Sequence, residues 1–193
     1  MARQKEFDHG DVVNKAVDVF WSKGYEATSI QDLVDAMGIN RGSIYATFGD
    51  KAGLFEAALD HYLPATLAQR VIDNAQSGDP RQTLEAFFYE LVNNSAAPGG
   101  RRGCLITNTL NELCANNDKL AIVLGSRLRA FEDAFETLIR RGQETGDFAP
   151  WKESRPLARS LIATVQGIQS VAKLAPGYGT IRDIADVALA NLD

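Results

Sequence analysis

Between residues 28 and 51 the chain carries polar side chains whose types and spacing suit contacts with an anionic polymer. Arg41 stands at the expected start of a short helix, where its side chain can reach past the helix end to a guanine edge. The helix face opposite Ile44 and Phe48 is small, so this helix can approach another surface closely. We predict base-edge or close groove contacts for Arg41, Gly42 and Ser43, and phosphate contacts for Thr28, Ser29, Tyr45 and Lys51.

These contacts require two short helices joined by a tight turn, and the sequence predicts both. Thr28 is expected to cap the first helix, with Gln31 three residues on returning the bond. Gly38 ends this helix, and Asn40 caps the second one. The apolar residues of the first helix recur at helical spacing: Ile30, Leu33, Val34 and Met37.

The flanking segments favour a DNA-binding module over a packed helical corner, which is the structural alternative for residues 28–48. Asp8 is placed to cap a preceding helix, and Gly24 ends it. Asp50 is placed to cap a fourth helix that begins at Lys51. A packed helical corner does not require three capped helices followed by a linker helix, so this order favours the DNA-binding module.

The segment from residue 7 to 62 resembles the N-terminal domain of the TetR-type bacterial transcriptional regulators. The matching motifs are, in order, VFWSKGYEATSI, MGINRGS, SIYATF and GDKAGLF. The resemblance implies a helix-turn-helix at residues 28–48 that binds operator DNA, and repression as the family default. Thr47 departs from the pattern, because many relatives carry histidine there, and the resemblance therefore implies a weaker phosphate contact at this position.

Composition is that of a soluble globular protein. The chain has 193 residues, of which 45% are hydrophobic, so it can bury a substantial core. The N-terminus has no long apolar run, and no later segment reaches the length of a membrane span. We expect no membrane association and a cytoplasmic location.

The charge balance does not favour binding to nucleic acid. The net charge is −5, and residues 1–60 contain six Lys and Arg against ten Asp and Glu. DNA binding must therefore depend on a local patch and on helix N-termini, whose dipoles attract phosphate. The patch would contain Arg3, Lys5, Arg41 and Lys51.

The remaining pattern is helical throughout and predicts an all-α protein. We expect a three-helix DNA-binding domain at residues 1–50 and a larger helical ligand-binding and dimerisation domain at residues 51–193. The helix predicted at 156–175 is apolar nearly all round, so it is either interior to the monomer or part of a two-fold dimer seam with the last helix. The family resemblance favours a homodimer, which would present two recognition helices to a palindromic site.

The two cysteines are not placed to form a disulfide with each other. Cys104 and Cys114 stand ten positions apart in a predicted helix, a rise of ~15 Å that excludes a disulfide while the helix is intact. Cys114 is expected to be a small buried residue. Cys104 follows two arginines at a predicted helix N-terminus, which favours its thiolate form, and plain burial is the alternative. His9 and His61 lie far away in sequence, so we predict no metal site and no cofactor.

The segment GCLITNTLNEL resembles the branch of the family that includes the repressor of the N-ethylmaleimide reductase operon, a sensor of reactive electrophiles. The resemblance places Cys104 on the sensing cysteine and Lys173 on a lysine of the same pattern. We expect a small organic effector that binds without a covalent bond, and sensing of electrophiles or oxidants through Cys104 is the alternative. Candidate walls of the effector pocket include Phe88, Leu110 and Phe131, although each could equally be core.

Two other classes of function fit less well. The chain has no nucleophile elbow, no phosphate loop and no paired histidines, so we predict no catalytic residues and no enzyme activity. A helical protein–protein adaptor without DNA binding would explain the acidic balance.

If the chain is a regulator, the effector would act by binding the DNA-released state more tightly than the DNA-bound state.

Overall fold

The computed structural model describes residues 8–113, 115 and 117–193, which form ten α-helices. All regular elements of these described residues are helical, which confirms the all-α prediction. Short 3-10 turns at Leu63–Ala65 and Pro98–Arg102 follow α4 and α6. The helices are α1 His9–Lys23, α2 Ile30–Met37, α3 Arg41–Phe48, α4 Lys51–Tyr62, α5 Leu67–Asn74, α6 Pro80–Ala96, α7 Leu105–Leu113, α8 Asp118–Thr145, α9 Ser154–Ala172 and α10 Tyr178–Ala190.

The first compact unit ends at Thr66 and is built around α1, which packs against α2 and α4. The rings of Phe20 and Phe55 meet edge to face in its core, with centroids 4.8 Å apart. Because α4 contributes to this core, the unit ends after α4 and not at the boundary after residue 50 that the sequence predicts. Its buried apolar residues include Val13, Ala16, Phe20, Leu33, Ile44, Leu54 and Phe55.

Local hydrogen bonds determine where the helices of the first unit begin. Asp8, Asn40 and Asp50 each accept a hydrogen bond from the backbone N–H three residues on, at 3.1, 2.8 and 2.8 Å. These bonds confirm three predicted caps. Gly38 has a left-handed φ of 72°, which glycine adopts at little cost, and it ends α2 as predicted.

The second unit, Leu67–Asp193, is built around an aromatic cluster between α6 and α8. Four phenylalanine rings meet there with centroid distances from 4.4 to 6.3 Å: Phe87, Phe88, Phe131 and Phe135. Helix α10 packs on α6 and α9, and α9 packs on α8. Helix α6 begins with Pro80 as its first helical residue, and Gln82 N–H donates to the capping Asp79 Oδ1 at 2.7 Å.

The apolar helix predicted at residues 156–175 is α9. One face of it is buried within the second unit and carries Leu161, Ile162, Val165 and Ile168. Arg155 in its first turn forms ion pairs with three carboxylates of α8: Glu132, Asp133 and Glu136. Across the described residues, no helix has both the length and the apolar character needed to cross a membrane.

Candidate nucleic-acid interface and effector region

Helix α3 presents the predicted base-contacting residues on its exposed side. Ile44 is buried and Phe48 half-buried, so these side chains hold the helix against the first unit. Ser43 is half-buried at the edge of the exposed face. That face combines one arginine, hydroxyl groups and small residues, and so suits close approach to a groove. Its exposed residues are Arg41, Gly42, Tyr45, Ala46 and Thr47.

Helix α2 is capped by Ser29 and not by Thr28, the cap predicted from the sequence. Ser29 Oγ accepts a hydrogen bond from Asp32 N–H at 3.1 Å, and Asp32 Oδ2 accepts one from Ser29 N–H at 2.9 Å. The capping box therefore pairs Ser29 with Asp32 and not Thr28 with Gln31. Both pairs have the same spacing, so the pattern alone could not distinguish them. Ser29 is exposed at the first turn of α2, where backbone N–H groups can bind phosphate.

Thr28 lies inside the first unit, so the prediction of a phosphate contact by its side chain is wrong. Only 1% of the residue is exposed. Its hydroxyl donates to the Gly24 carbonyl at 2.5 Å, and its backbone N–H donates to the Tyr25 carbonyl at 3.2 Å. Thr28 therefore stabilises the loop between α1 and α2.

Lys51 contacts the same loop, a role that its position in the sequence does not indicate. Its Nζ donates to the backbone carbonyls of Tyr25 and Thr28, at 2.8 Å in each case. The same nitrogen lies 4.3 Å from the centroid of the Tyr25 ring. Burial raises the pKa of the Tyr25 hydroxyl, and nearby carboxylates raise it further: Asp50, Glu26 and Glu56. Part of the donor capacity of Lys51 is thus used within the first unit.

Asp32 places a negative charge at the start of α2. Lys23 Nζ lies 2.5 Å from Asp32 Oδ1. This hydrogen bond, followed by those from Ser29, lowers the pKa of Asp32 from 3.8 to about 2. Lys23 is therefore engaged with Asp32, while Arg41 is exposed on α3. The other two members of the predicted basic patch, Arg3 and Lys5, lie outside the described residues.

The predicted effector residues occupy two separate places in the second unit. Phe88 and Phe131 are buried in the aromatic cluster, so they belong to the core. Leu110 is half-buried on α7, and Cys104 is half-buried just before that helix. Cys114 lies outside the described residues. Among the residues that the structure describes, no three His, Cys, Asp or Glu side chains are grouped to hold a metal ion.

Cys104 adjoins a close contact between the start of α7 and the end of α9. Gly103 has a φ of 65°, and a Cβ added there would lie 2.9 Å from Cε of Lys173. Thr107 Oγ1 donates to Gln169 Oε1 at 2.6 Å, which joins the same two helices. The Lys173 side chain thus lies against the residue that precedes Cys104, and Lys173 itself is exposed.

A groove of about 390 Å³ opens between α6 and α10. Its floor includes Phe88 and Val92, and the exposed rings of Tyr89 and Tyr178 also line it. Of the predicted effector residues, Phe88 alone is among its lining residues. The groove therefore does not unite the predicted effector residues.

The outward face of α9 and of the turn after it differs from the buried face. It carries small and apolar residues at helical spacing: Ala163, Gly167, Ser170 and Leu174. On α10, Val187 is 63% exposed. Small residues allow a second helix to approach closely, and exposed apolar faces often mark protein–protein contacts. Helix α9 therefore combines an interior face with a face suited to a second copy of the chain.

Two family models match the sequence. The model described as bacterial regulatory proteins, tetR family, matches residues 12–58, and the model described as tetracyclin repressor-like, C-terminal domain, matches residues 80–182. The HTH-type transcriptional regulator YezE of Bacillus subtilis is 32% identical over 194 residues, which cover 100% of both chains. The HTH-type transcriptional repressor ComR of Escherichia coli is 29% identical, over 97% of this chain and 90% of that protein.

Solved structures agree with these matches. A cysteine mutant of the regulator CifR, complexed with 26-base-pair operator DNA, superimposes with a TM-score of 0.80 at 30% identity and covers 100% of both chains. The reduced form of NemR from E. coli has a TM-score of 0.78 at 19% identity, and the match covers 96% of each chain. The likeness to NemR extends to the fold only.

Proposed function

The chain belongs to the TetR family of bacterial regulatory proteins, and from this premise we propose that it is a dimeric transcriptional repressor. It binds a palindromic operator and is released by a small organic effector. We propose that it acts in the cytoplasm and by binding alone, without a catalytic step. Relatives named as repressors and a similar structure with operator DNA support this assignment.

The exposed face of α3 carries the proposal. Arg41, Gly42 and Ser43 lie at its first turn, where they would meet base edges in the major groove. Tyr45 and Thr47 lie on the exposed side of the same helix and would contact phosphates together with Ser29. The hydrogen bond from Ser43 N–H to the Asn40 cap and the buried Ile44 hold this face in place.

Binding to the DNA upstream of the protein's own gene tests the assignment. The double substitution Arg41→Ala with Tyr45→Ala is expected to weaken specific binding about 100-fold, because it removes a base contact and a phosphate contact from each subunit. Fluorescence anisotropy with labelled DNA measures the change. Tyr89→Ala, which removes an exposed ring from the second unit, is the control and should bind like the unchanged protein.

Unchanged DNA binding by the double variant, with its helical content intact, would contradict this proposal. Absence of specific DNA binding by the unchanged protein would instead favour the alternative of a helical adaptor whose partners are proteins. Competition with unrelated DNA of the same length separates specific from nonspecific binding, since phosphate contacts alone support only the nonspecific kind.

Release requires that the effector bind the DNA-released state more tightly than the DNA-bound state. To convert a population almost fully bound to one almost fully released, the difference must be about 5.5 kcal/mol. A ligand with equal affinity for the two states would not shift them, however tightly it bound. The effector is therefore identified by release of operator DNA and not by binding alone.

A second candidate function is sensing of electrophiles or oxidants through Cys104. The observation that favours it is the half-buried Cys104 at the start of α7, beside the contact of Gly103 with Lys173. Cysteine substitutions also characterise the CifR proteins that were solved with operator DNA. Treatment of the reduced protein with a thiol-alkylating agent should then release DNA, and Cys104→Ser should abolish that release. Binding that is insensitive to alkylation would leave a non-covalent effector.

A further inference from the structure

We propose that Lys51 is a positioning residue. Its hydrogen bonds join the start of α4 to the loop before α2, and its contribution to operator binding does not come from a phosphate contact. The inference rests on the proposed function, because operator binding is one of its readouts. Lys51 is the first residue of α4, three positions after the end of α3. Its ammonium reaches back across 26 and 23 positions to the carbonyls of Tyr25 and Thr28.

The segment enclosed by these two hydrogen bonds contains both α2 and α3. The chain leaves the loop at residues 24–29, forms α2, turns at Gly38, forms α3 and returns to the loop through Lys51. The two ends of the DNA-binding module are thus tied together by one side chain. In this arrangement the start of α2 and the end of α3 are held relative to each other.

The surroundings explain why an ammonium group suits this position. It has three donors and no acceptor, so it can satisfy two backbone carbonyls that lie at different angles. The Tyr25 ring, 4.3 Å away, adds a cation–π contact. The carboxylates that raise the pKa of Tyr25 also make this region electronegative. A planar guanidinium could not reproduce the same set of contacts from the same backbone position.

The loop that Lys51 holds is ordered by further contacts, so the tie acts on a defined structure. Thr28 is buried and donates to Gly24, and the Tyr25 ring packs against Phe20 and Phe55 with centroids 6.1 and 4.9 Å away. Ser29, the exposed cap of α2, follows directly. Lys51 therefore holds the carbonyl of Thr28, the residue that precedes the cap of α2.

The functional consequence is preorganisation. If the loop is free to move relative to α4, the start of α2 and the face of α3 must be ordered when DNA binds, and that ordering lowers affinity. A phosphate contact would act differently, because it releases counterions and contributes to the salt dependence of binding. The two roles can therefore be separated by experiment.

The test is operator affinity of Lys51→Met at a series of salt concentrations. Methionine retains a flexible apolar stem but has no donor. We expect affinity to fall about tenfold while the slope of log K against log salt stays unchanged. A slope reduced by about 1.8 in the dimer would show two lost phosphate contacts and would overturn the proposal, as would unchanged affinity.

Two further variants control for charge. Lys15→Met removes the same charge from an exposed position on α1 of the same unit, and should leave affinity nearly unchanged. Lys51→Arg keeps the charge; we expect it to restore little of the lost affinity, whereas full restoration would indicate a phosphate contact. If Lys51→Met fails to fold, Lys51→Arg carries the test.

A measurement without DNA separates this inference from the proposed function. Amide hydrogen exchange in residues 24–30 should be faster in Lys51→Met than in Lys15→Met, because the tie to α4 is lost. Equal exchange would overturn the proposal even if the operator were found. Absence of specific operator binding by the unchanged protein would contradict the proposed function and leave the exchange result standing.

Discussion

The first unit and the second unit are stabilised by different kinds of interaction. In the first, short helices begin at polar side chains that bond to their own first turn, as at Asp8, Asn40 and Asp50. In the second, four phenylalanine rings from α6 and α8, far apart in sequence, meet in one cluster. Both units bury an apolar core, but the starts of the short helices in the first are set by local hydrogen bonds, whereas the four rings of the second meet only through long-range packing.

The exposed surfaces of the two units differ in the same way. The first unit exposes the arginine and hydroxyls of α3, which suit a polar and charged partner. The second exposes apolar residues in the turn after α9 and on α10, such as Leu174 and Val187, which suit another protein surface. This division agrees with a regulator that contacts DNA with one unit and its own copy with the other.

The largest expected effect distinguishes buried from exposed aromatic residues in the second unit. Phe88 and Tyr89 are neighbours on α6, yet the first is 1% exposed and the second 65%. Phe88→Ala should lower the free energy of unfolding by about 3–5 kcal/mol, because it leaves a cavity in the aromatic cluster. Tyr89→Ala should change it by less than about 0.5 kcal/mol. Denaturant unfolding measures both, and equal effects would show that the cluster is not the main source of stability.

The next effect tests the apolar face of the second unit. Val187→Glu should raise the dimer dissociation constant about 30-fold or more, since a carboxylate would be buried between two copies. Ile122→Glu is the matched control, because Ile122 is 69% exposed and lies on α8 instead of α10. Analytical ultracentrifugation gives both constants. If Ile122→Glu dissociates the dimer and Val187→Glu does not, the second copy binds elsewhere.

The sequence predicts the first unit better than the second because caps are local. Asn40 and Ser43 stand three residues apart, so their bond can be inferred from the pattern. The cap of α2 is the exception, because the pairs Thr28–Gln31 and Ser29–Asp32 have the same spacing and the pattern does not distinguish them. The contacts of Lys51 could not be predicted, because its partners Tyr25 and Thr28 are 26 and 23 positions away and no periodicity connects them.

The predicted pocket of the second unit also depends on contacts between distant residues, which a local sequence pattern does not show. Apolar residues at helical spacing line a cavity and fill a core equally well. Phe88 and Phe131 lie in the core where α6 meets α8, and Phe88 also lines the groove between α6 and α10. Gly103 and Lys173 likewise meet through the packing of helices that lie far apart in the chain. The sequence could identify candidate residues here but not their neighbours.

A smaller effect sharpens the claim that local bonds organise the first unit. Asn40→Ala removes the side chain that accepts a bond from Ser43 N–H, and should lower the free energy of unfolding by about 1 kcal/mol. Asn40→Ser keeps a capping oxygen and should lose much less. Denaturant unfolding of both variants gives the comparison. Equal losses would mean that the residue acts through other contacts.

The smallest effect concerns the titration of Asp32 in the capping box. Its pKa is lowered from 3.8 to about 2, first by the hydrogen bond from Lys23 and then by those from Ser29. Because the folded-state pKa is depressed, the stabilising contribution is fully present above the unfolded value and is lost as the pH falls through about 2. Stability near neutral pH should therefore not depend on the protonation of Asp32.

The variant Lys23→Met tests the cause of this shift. The pKa of Asp32 should rise toward 3.8 in that variant, as followed by NMR of the Asp32 carboxyl carbon. Lys15→Met, on the same helix, should leave it unchanged. If Asp32 of the unchanged protein titrates at its usual value, the capping box is weaker in solution than the hydrogen bonds of the structure indicate.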